Sequence, residues 1–224
     1  RLGAKYLDLK SSTSAEPLSI SRILTIAYAL LSHLASALYS DQTNFPFELK
    51  ASFACSNDTL DKIFKAGWLT SFNSAHENYA DCPYYEQLQY FGDLNISNPV
   101  TVLLSGDSRL MRNAIMQGEY SRKSGDLTTC SFPTHEAGKI IPYFSIAWIG
   151  MINNYWLYQG DTTFVKQFVP SIKAIMNWYK SQLNDQNMLG PMPHWNFVDC
   201  TPEWPWAPEK GSICEPDGTY TGNS

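Results

Sequence analysis

Most of the chain after residue 57 carries apolar residues at the spacing of an α-helix. The first such set comprises Leu60, Ile63, Phe64, Gly67 and Trp68. It follows the polar run 56–58, whose Ser, Asn and Asp side chains are typical of helix caps. The pattern therefore predicts a first helix that begins near Asn57.

Later segments repeat this alternation of helix and turn. The predicted helices cover residues 95–104, 108–122, 142–158 and 162–183. Glycine followed by aspartate separates consecutive segments at positions 106–107 and 160–161, and Pro142 suits the first turn of its helix. Pro170 is expected to kink or divide the last segment. Helical hairpins account for this order most simply.

The amino-terminal part has a different pattern. Residues 1–10 alternate in hydrophobicity with one change of phase, and residues 47–55 alternate in a single phase, which predicts strands of a preceding β-rich domain. The apolar stretch 23–39 resembles a signal-peptide core in composition. It contains His33 and several serines and is shorter than the roughly 18–20 apolar residues of a membrane span, so we expect neither role.

The composition indicates a globular protein with a neutral ligand. Of the 224 residues, 44% are hydrophobic and 17% are charged, which indicates extensive burial. The aromatic content of 14% suits stacking on sugar rings as well as core packing. The net charge of -5 and the lack of a basic run argue against nucleic acid or an anionic membrane as a partner.

Cysteine and histidine spacing predicts no metal, no cofactor and no disulfide framework. The five cysteines form no Cys-x-x-Cys pair, and the four histidines form no i, i+4 pair. A thiol nucleophile at Cys82 with His76 as its base is a weaker alternative. Nothing in the sequence orients that pair, and the adjacent Pro83 indicates a structural turn.

The run 81–93 places three carboxylic acids, Asp81, Glu86 and Asp93, among aromatic residues. A carboxyl group that donates a proton near neutral pH needs a raised pKa, which apolar surroundings and nearby negative charge supply. Glu86, Tyr90 and Asp93 follow at i, i+4 and i+7 and would share one helical face. A single acid near a helix start is often a capping partner, but three acids between aromatics favour a sugar-cleaving site.

This run resembles the acid-bearing signature of the bacterial alpha-L-rhamnosidases, family 78 of the glycoside hydrolases. Further similar stretches are 55–68, 141–149, 155–161 and 195–199, so that the resemblance covers about residues 51–224. It implies a mainly α fold that is part of an (α/α)6 six-hairpin toroid. Residues 53–224 would be the amino-terminal portion of this catalytic domain, incomplete at its carboxyl end. Residues 1–52 would end a preceding β-sandwich domain and its linker.

The resemblance also implies inverting hydrolysis of terminal alpha-L-rhamnosides, with Glu86 as the general acid. Asp81 and Asp93 would hold ring hydroxyls. The family's base is a glutamate on a later hairpin. Downstream glutamates at 203, 209 and 215 lie in a loop rich in Pro and Gly without the context of that base, so we expect the base beyond Ser224. The isolated chain would then be inactive and would expose apolar helix faces.

Two loops carry further candidates for sugar contacts. His135 lies in the turn-forming run 131–136, and Trp195 and Asp199 lie in the run 192–199. Relatives often carry Trp where this chain has Cys200, and many carry Trp at the position of Tyr90. Cys200 lacks the ring that a stacking surface at this position would need, whereas Tyr90 still offers an aromatic face.

Two other classes of function remain open. One is a different six-hairpin glycosidase or a polysaccharide lyase, although a lyase would use a Tyr, His or Lys base and often a cation. The other is a catalytically silent glycan-binding protein. The substrate would be a rhamnose-containing glycan or glycoside, and the oligomeric state stays open. No targeting segment is visible, so either the bacterial periplasm or the cytoplasm fits.

Overall fold

A computed structural model describes residues 42–122, 127–135, 138–190 and 192–199. Six helices lie in these ranges: α1 Asp58–Asn73, α2 Phe91–Ser105, α3 Arg109–Ser121, α4 Pro142–Gln159, α5 Thr162–Lys166 and α6 Val169–Ser181. Extended pairing in the same ranges is limited to isolated bridges. The predicted mainly helical fold is confirmed.

The helices begin and end at signals that the sequence carries. Asn57 caps α1, and its side chain accepts a hydrogen bond of 2.9 Å from the backbone N–H of Thr59. Gly106 and Gly160 end α2 and α4 in the left-handed conformation, with φ of 72° and 67°. The predicted division near Pro170 is confirmed, because this residue lies in the first turn of α6, separate from α5.

The core forms mainly between α2 and α4, and α4 also contacts α3, α5 and α6. Trp148 of α4 is fully buried, and its indole Nε1 donates a hydrogen bond of 3.0 Å to the carbonyl of Ile115 on α3. Its ring meets that of Phe168 edge-on at 5.8 Å between centroids. Trp148 and Tyr155 are buried core residues, whereas the neighbouring Trp156 is 46% exposed.

Gly118→Ala is expected to lower the free energy of unfolding by about 1–3 kcal/mol, because a Cβ at this position would overlap the Trp148 indole. Gly67→Ala is the matched control, since nothing lies near the corresponding position in α1. That change should raise the free energy of unfolding by about 0.5–1 kcal/mol through helix propensity. Denaturant unfolding measures both. Equal effects of the two substitutions would contradict the close contact between α3 and α4.

The predicted strand at residues 47–55 is wrong. The backbone N–H groups of Lys50 and Ala51 both donate to the carbonyl of Leu104 at 2.9 Å, which anchors an irregular segment on the end of α2. Phe47 is buried, but Leu49 and Phe53 are 44% and 46% exposed, so the alternation does not separate a core face from a solvent face. The predicted strand at 1–10 and the apolar stretch 23–39 lie outside the described residues.

The chain divides into two units, Arg1–Thr43 and Asn44–Ser224, and the second contains all the helices described above. As predicted, the described helices expose apolar side chains. These include Leu60, Ile63, Leu69, Ile96, Leu103, Leu157 and Met176. None of the helices in the described ranges has the length and apolar character needed to cross a bilayer.

Candidate active site

Residues 81–90, the acid loop, form a closed loop before α2. The backbone N–H of Asp81 donates to the carbonyl of Leu88 at 2.9 Å, and the N–H of Leu88 donates to Oδ1 of Asp81 at 3.0 Å. One carboxylate oxygen of Asp81 thus closes the loop that carries Glu86. Asp81 has a structural role here in addition to the sugar contact predicted for it.

The helix does not extend back to Glu86, so the prediction that Glu86, Tyr90 and Asp93 share one helical face is wrong. Gln87 has φ of 55°, a left-handed conformation that interrupts any helix at this point. Tyr90 pairs with Ser131 in an isolated antiparallel bridge. Contact with a distant segment therefore sets the start of α2 at Phe91.

The predicted acids nevertheless come together. Hydrogen bonding between the Tyr90 hydroxyl and the Glu86 carboxylate contributes to the raised pKa of Tyr90. Burial raises the pKa of Tyr90 above its ordinary value, and this hydrogen bond and the negative charge of Glu86 raise it further. The negative charge of Asp81 acts in the same direction. The loop thus places a phenol and two carboxyl groups within reach of one another.

Asp93 lies in the first turn of α2 and joins the same group of charges. Partial loss of hydration raises its pKa, and the negative charges of Asp81, Glu86 and Asp199 add to the effect. Solvent still reaches the exposed side chain of Asp93. A helix start ordinarily favours a carboxylate, so the partial loss of hydration and the neighbouring acids outweigh that influence. Such a carboxyl group is well suited to hydrogen bonds with sugar hydroxyls.

A row of aromatic rings extends from the acid loop. Tyr90 meets Phe144 of α4 at 6.3 Å between ring centroids, and Phe144 meets Phe197 at 6.2 Å. Phe197 in turn meets Trp195 at 5.1 Å, and the Lys139 ammonium lies 6.0 Å from the Trp195 ring centroid. Ring contacts therefore link Trp195 to Tyr90 in the acid loop. The negative charge of Asp199 contributes to the raised pKa of Asp93.

His135 is not drawn into this group. It is exposed on the segment that follows the cis peptide bond between Phe132 and Pro133, and it makes no hydrogen bond to any residue of the described ranges. Residues 200–224, which include the downstream glutamates, lie outside the described part of the chain. Where the chain is described, no group of three or more His, Cys, Asp or Glu side chains is arranged to hold a metal ion.

Three side-chain amides that the sequence pattern does not mark join the acid loop to neighbouring segments: Gln89 within the loop, and Asn78 and Gln117 outside it. Gln89 is 2% exposed, and hydrogen bonds connect the three side chains in series. No periodic pattern marks them. The one feature of the sequence that could have indicated these amides is a glutamine between Leu88 and Tyr90, in a loop rich in aromatic residues.

Helical hairpins that carry interacting carboxyl groups beside an aromatic row are the arrangement expected of a six-hairpin sugar enzyme. The model of the bacterial alpha-L-rhamnosidase six-hairpin glycosidase domain matches residues 48–212. The chain belongs to this family.

Individual relatives agree with this assignment. An alpha-L-rhamnosidase of Formosa agariphila is 25% identical over 174 residues, which cover 68% of this chain and 17% of the relative. The family 78 rhamnosidase of Bacillus sp. GL1 aligns with a TM-score of 0.67 at 23% identity, over 71% of this chain and 16% of that one. A Klebsiella oxytoca rhamnosidase solved with rhamnose bound aligns with a TM-score of 0.62 at 15% identity, over 68% of this chain and 31% of that one. The chain thus spans about a sixth of the first two relatives.

Proposed function

We propose that the full-length protein removes terminal alpha-L-rhamnose from glycosides or polysaccharides by an inverting mechanism, with Glu86 as the general acid. The observation that carries this proposal is the convergence of Glu86, Tyr90 and Asp93 in and next to one closed loop. Residues 53–224 would be the amino-terminal portion of the catalytic domain. Family membership and the rhamnose bound to the Klebsiella relative support the choice of sugar.

In this mechanism Glu86 protonates the leaving oxygen while a water molecule attacks the opposite face of the sugar. The attacking water needs a base carboxylate about 6.5–9.5 Å from the acid. No residue of this chain is assigned that role. Asp93 and Asp81 would orient the ring through its hydroxyls, and the aromatic row from Tyr90 to Trp195 would offer apolar surface to the ring.

A rhamnoside assay followed by NMR tests the proposal. The full-length protein should hydrolyse p-nitrophenyl alpha-L-rhamnoside and release the β-anomer first, because a single displacement inverts the anomeric carbon. The isolated 224-residue chain is the control and should give no turnover, since it carries no assigned base.

Other outcomes would replace parts of the proposal. No turnover by the full-length protein would contradict a rhamnosidase, and rhamnoside binding without turnover would favour a silent glycan-binding protein. Release of the α-anomer first would contradict inversion. Cleavage to an unsaturated product would indicate a lyase.

A further inference from the structure

Gln89 connects three segments of the fold through one buried amide. Its Oε1 accepts a hydrogen bond of 3.1 Å from the backbone N–H of Tyr79. Its Nε2 donates to the carbonyl of Phe132 at 2.7 Å and to Oε1 of Gln117 at 2.5 Å. The acid loop is thus bound to the segment before it, to the segment with the cis proline and to α3.

The series continues beyond Gln89 and has a fixed direction. Nε2 of Gln117 donates to Oδ1 of Asn78 at 2.6 Å, so each amide nitrogen donates to the next amide oxygen. The backbone carbonyl of Gln89 also accepts from the N–H of Phe132 at 3.2 Å. In the side chain of Gln89, both N–H groups of Nε2 donate hydrogen bonds and Oε1 accepts one.

Simple packing does not account for a glutamine here. A buried amide costs free energy unless it is hydrogen-bonded, and an apolar side chain of similar size would leave the backbone N–H of Tyr79 and the carbonyl of Phe132 without this partner. A fully satisfied buried network instead fixes the relative positions of the segments that it joins. The segment fixed here includes Tyr90, the next residue along the chain, and belongs to the closed loop that carries Glu86, with which the Tyr90 hydroxyl interacts.

We propose that Gln89 is a positioning residue for the general acid: its amide fixes the backbone at Tyr90, and the Tyr90 hydroxyl then aims the Glu86 carboxyl at the leaving oxygen. The inference rests on the proposed function, because it assigns Glu86 as the acid. Gln89 itself would touch neither the sugar nor the water. Asn78 and Gln117 would support Gln89 from the side of α3.

Leaving groups of different basicity separate a positioning role from a purely structural one. A basic leaving group, as in methyl alpha-L-rhamnoside, needs a well-aimed proton donor in the transition state. A dinitrophenolate leaves with little help from an acid. Loss of folded protein, in contrast, lowers the rates on both substrates by the same factor.

The test compares Gln89→Met with the unchanged full-length protein on both substrates. Misplacement of the acid should lower kcat/KM about 10- to 100-fold more for the methyl than for the dinitrophenyl rhamnoside. Tyr90→Phe should change this ratio in the same direction. Gln117→Met removes one hydrogen-bond partner of Gln89 and should change this ratio in the same direction by a smaller factor. It replaces Gln89→Met in the test if that variant does not fold.

Asn113→Ala is the matched control. The Asn113 amide also lies on α3 and donates to the carbonyl of Glu77 at 3.3 Å, which lies outside the acid loop. Removal of the Asn113 amide should leave the ratio of kcat/KM for the methyl and dinitrophenyl rhamnosides unchanged. Equal losses on both substrates in Gln89→Met and Gln117→Met would overturn the positioning role while leaving the proposed function intact. An unchanged protein that cleaves neither substrate would overturn the proposed function, and the positioning role with it.

Discussion

Glu86→Gln is expected to lower kcat/KM for rhamnosides with alkyl or sugar leaving groups by about 10²–10⁴-fold, the usual contribution of a general acid. The amide keeps the shape of the side chain and can still accept a hydrogen bond from the Tyr90 hydroxyl, but it has no acidic proton to transfer. The dinitrophenyl rhamnoside should lose much less, because its leaving group needs little protonation. Steady-state kinetics on both substrates measure the difference.

Glu77→Gln is the matched control for this change. Glu77 is an exposed glutamate in the segment just before the acid loop, so the same substitution there tests the effect of removing one nearby charge. We expect it to leave both rates within about 2-fold of the unchanged protein, as is usual for surface substitutions. Undiminished turnover of the methyl rhamnoside by Glu86→Gln would remove Glu86 as the acid.

Asp93→Asn is expected to lose activity and to gain stability at neutral pH. Loss of a charged hydrogen bond to a sugar hydroxyl should reduce kcat/KM by about 10- to 100-fold. The pKa of Asp93 is raised first by loss of hydration and then by the charges of Asp81 and Glu86, so its ionised form is unfavourable in the folded protein. Asparagine removes that unfavourable charge.

The sign of the pH dependence follows from the direction of this shift. A carboxyl group with a raised folded-state pKa favours folding at low pH, and that contribution is lost as pH rises through the raised value. The melting temperature of Asp93→Asn should therefore exceed that of the unchanged protein at neutral pH. The difference should disappear below the ordinary pKa of 3.8.

Asp107→Asn provides a control of opposite sign. The hydrogen bond from the Arg109 side chain lowers the pKa of Asp107, so its ionised form favours folding. This substitution should lower the melting temperature at neutral pH, with the loss fading as pH falls through the lowered pKa. A lower melting temperature for Asp93→Asn at neutral pH would contradict the crowding of acids around Asp93.

The helices could be predicted from the sequence because their signals are local. Asn57 caps α1 through its own side chain, and Gly160 ends α4 because glycine adopts a left-handed conformation at little cost. Pro170 separates two helices for an equally local reason. The strand predicted at 47–55 fails because distant backbone contacts with Leu104 override an alternation that reflects no buried face.

The candidate site could be located from the sequence, but its geometry could not. The spacing of Asp81, Glu86 and Asp93 identified side chains that do interact. The spacing also predicted a helix through Glu86, which the left-handed Gln87 prevents. Local pattern does not report this conformation, because contacts with residues about 40 positions away hold the loop in place.

The amide series shows the same limit more sharply. Gln89 pairs with Gln117, 28 positions away, and with Phe132, 43 positions away. Each of these residues by itself looks like an ordinary surface amide or loop aromatic in the sequence. Their common role becomes visible when α3, the acid loop and the cis-proline segment are brought together.

In the proposed function, the acid loop and the start of α2 form the sugar-binding and proton-donating part of the site. A crystal structure of the full-length protein with rhamnose bound would test this placement. We expect the Glu86 carboxyl to lie within hydrogen-bond distance of the anomeric oxygen, and Asp93 to bond to a ring hydroxyl. Rhamnose bound elsewhere in the protein, with Glu86 and Asp93 facing only solvent, would contradict it.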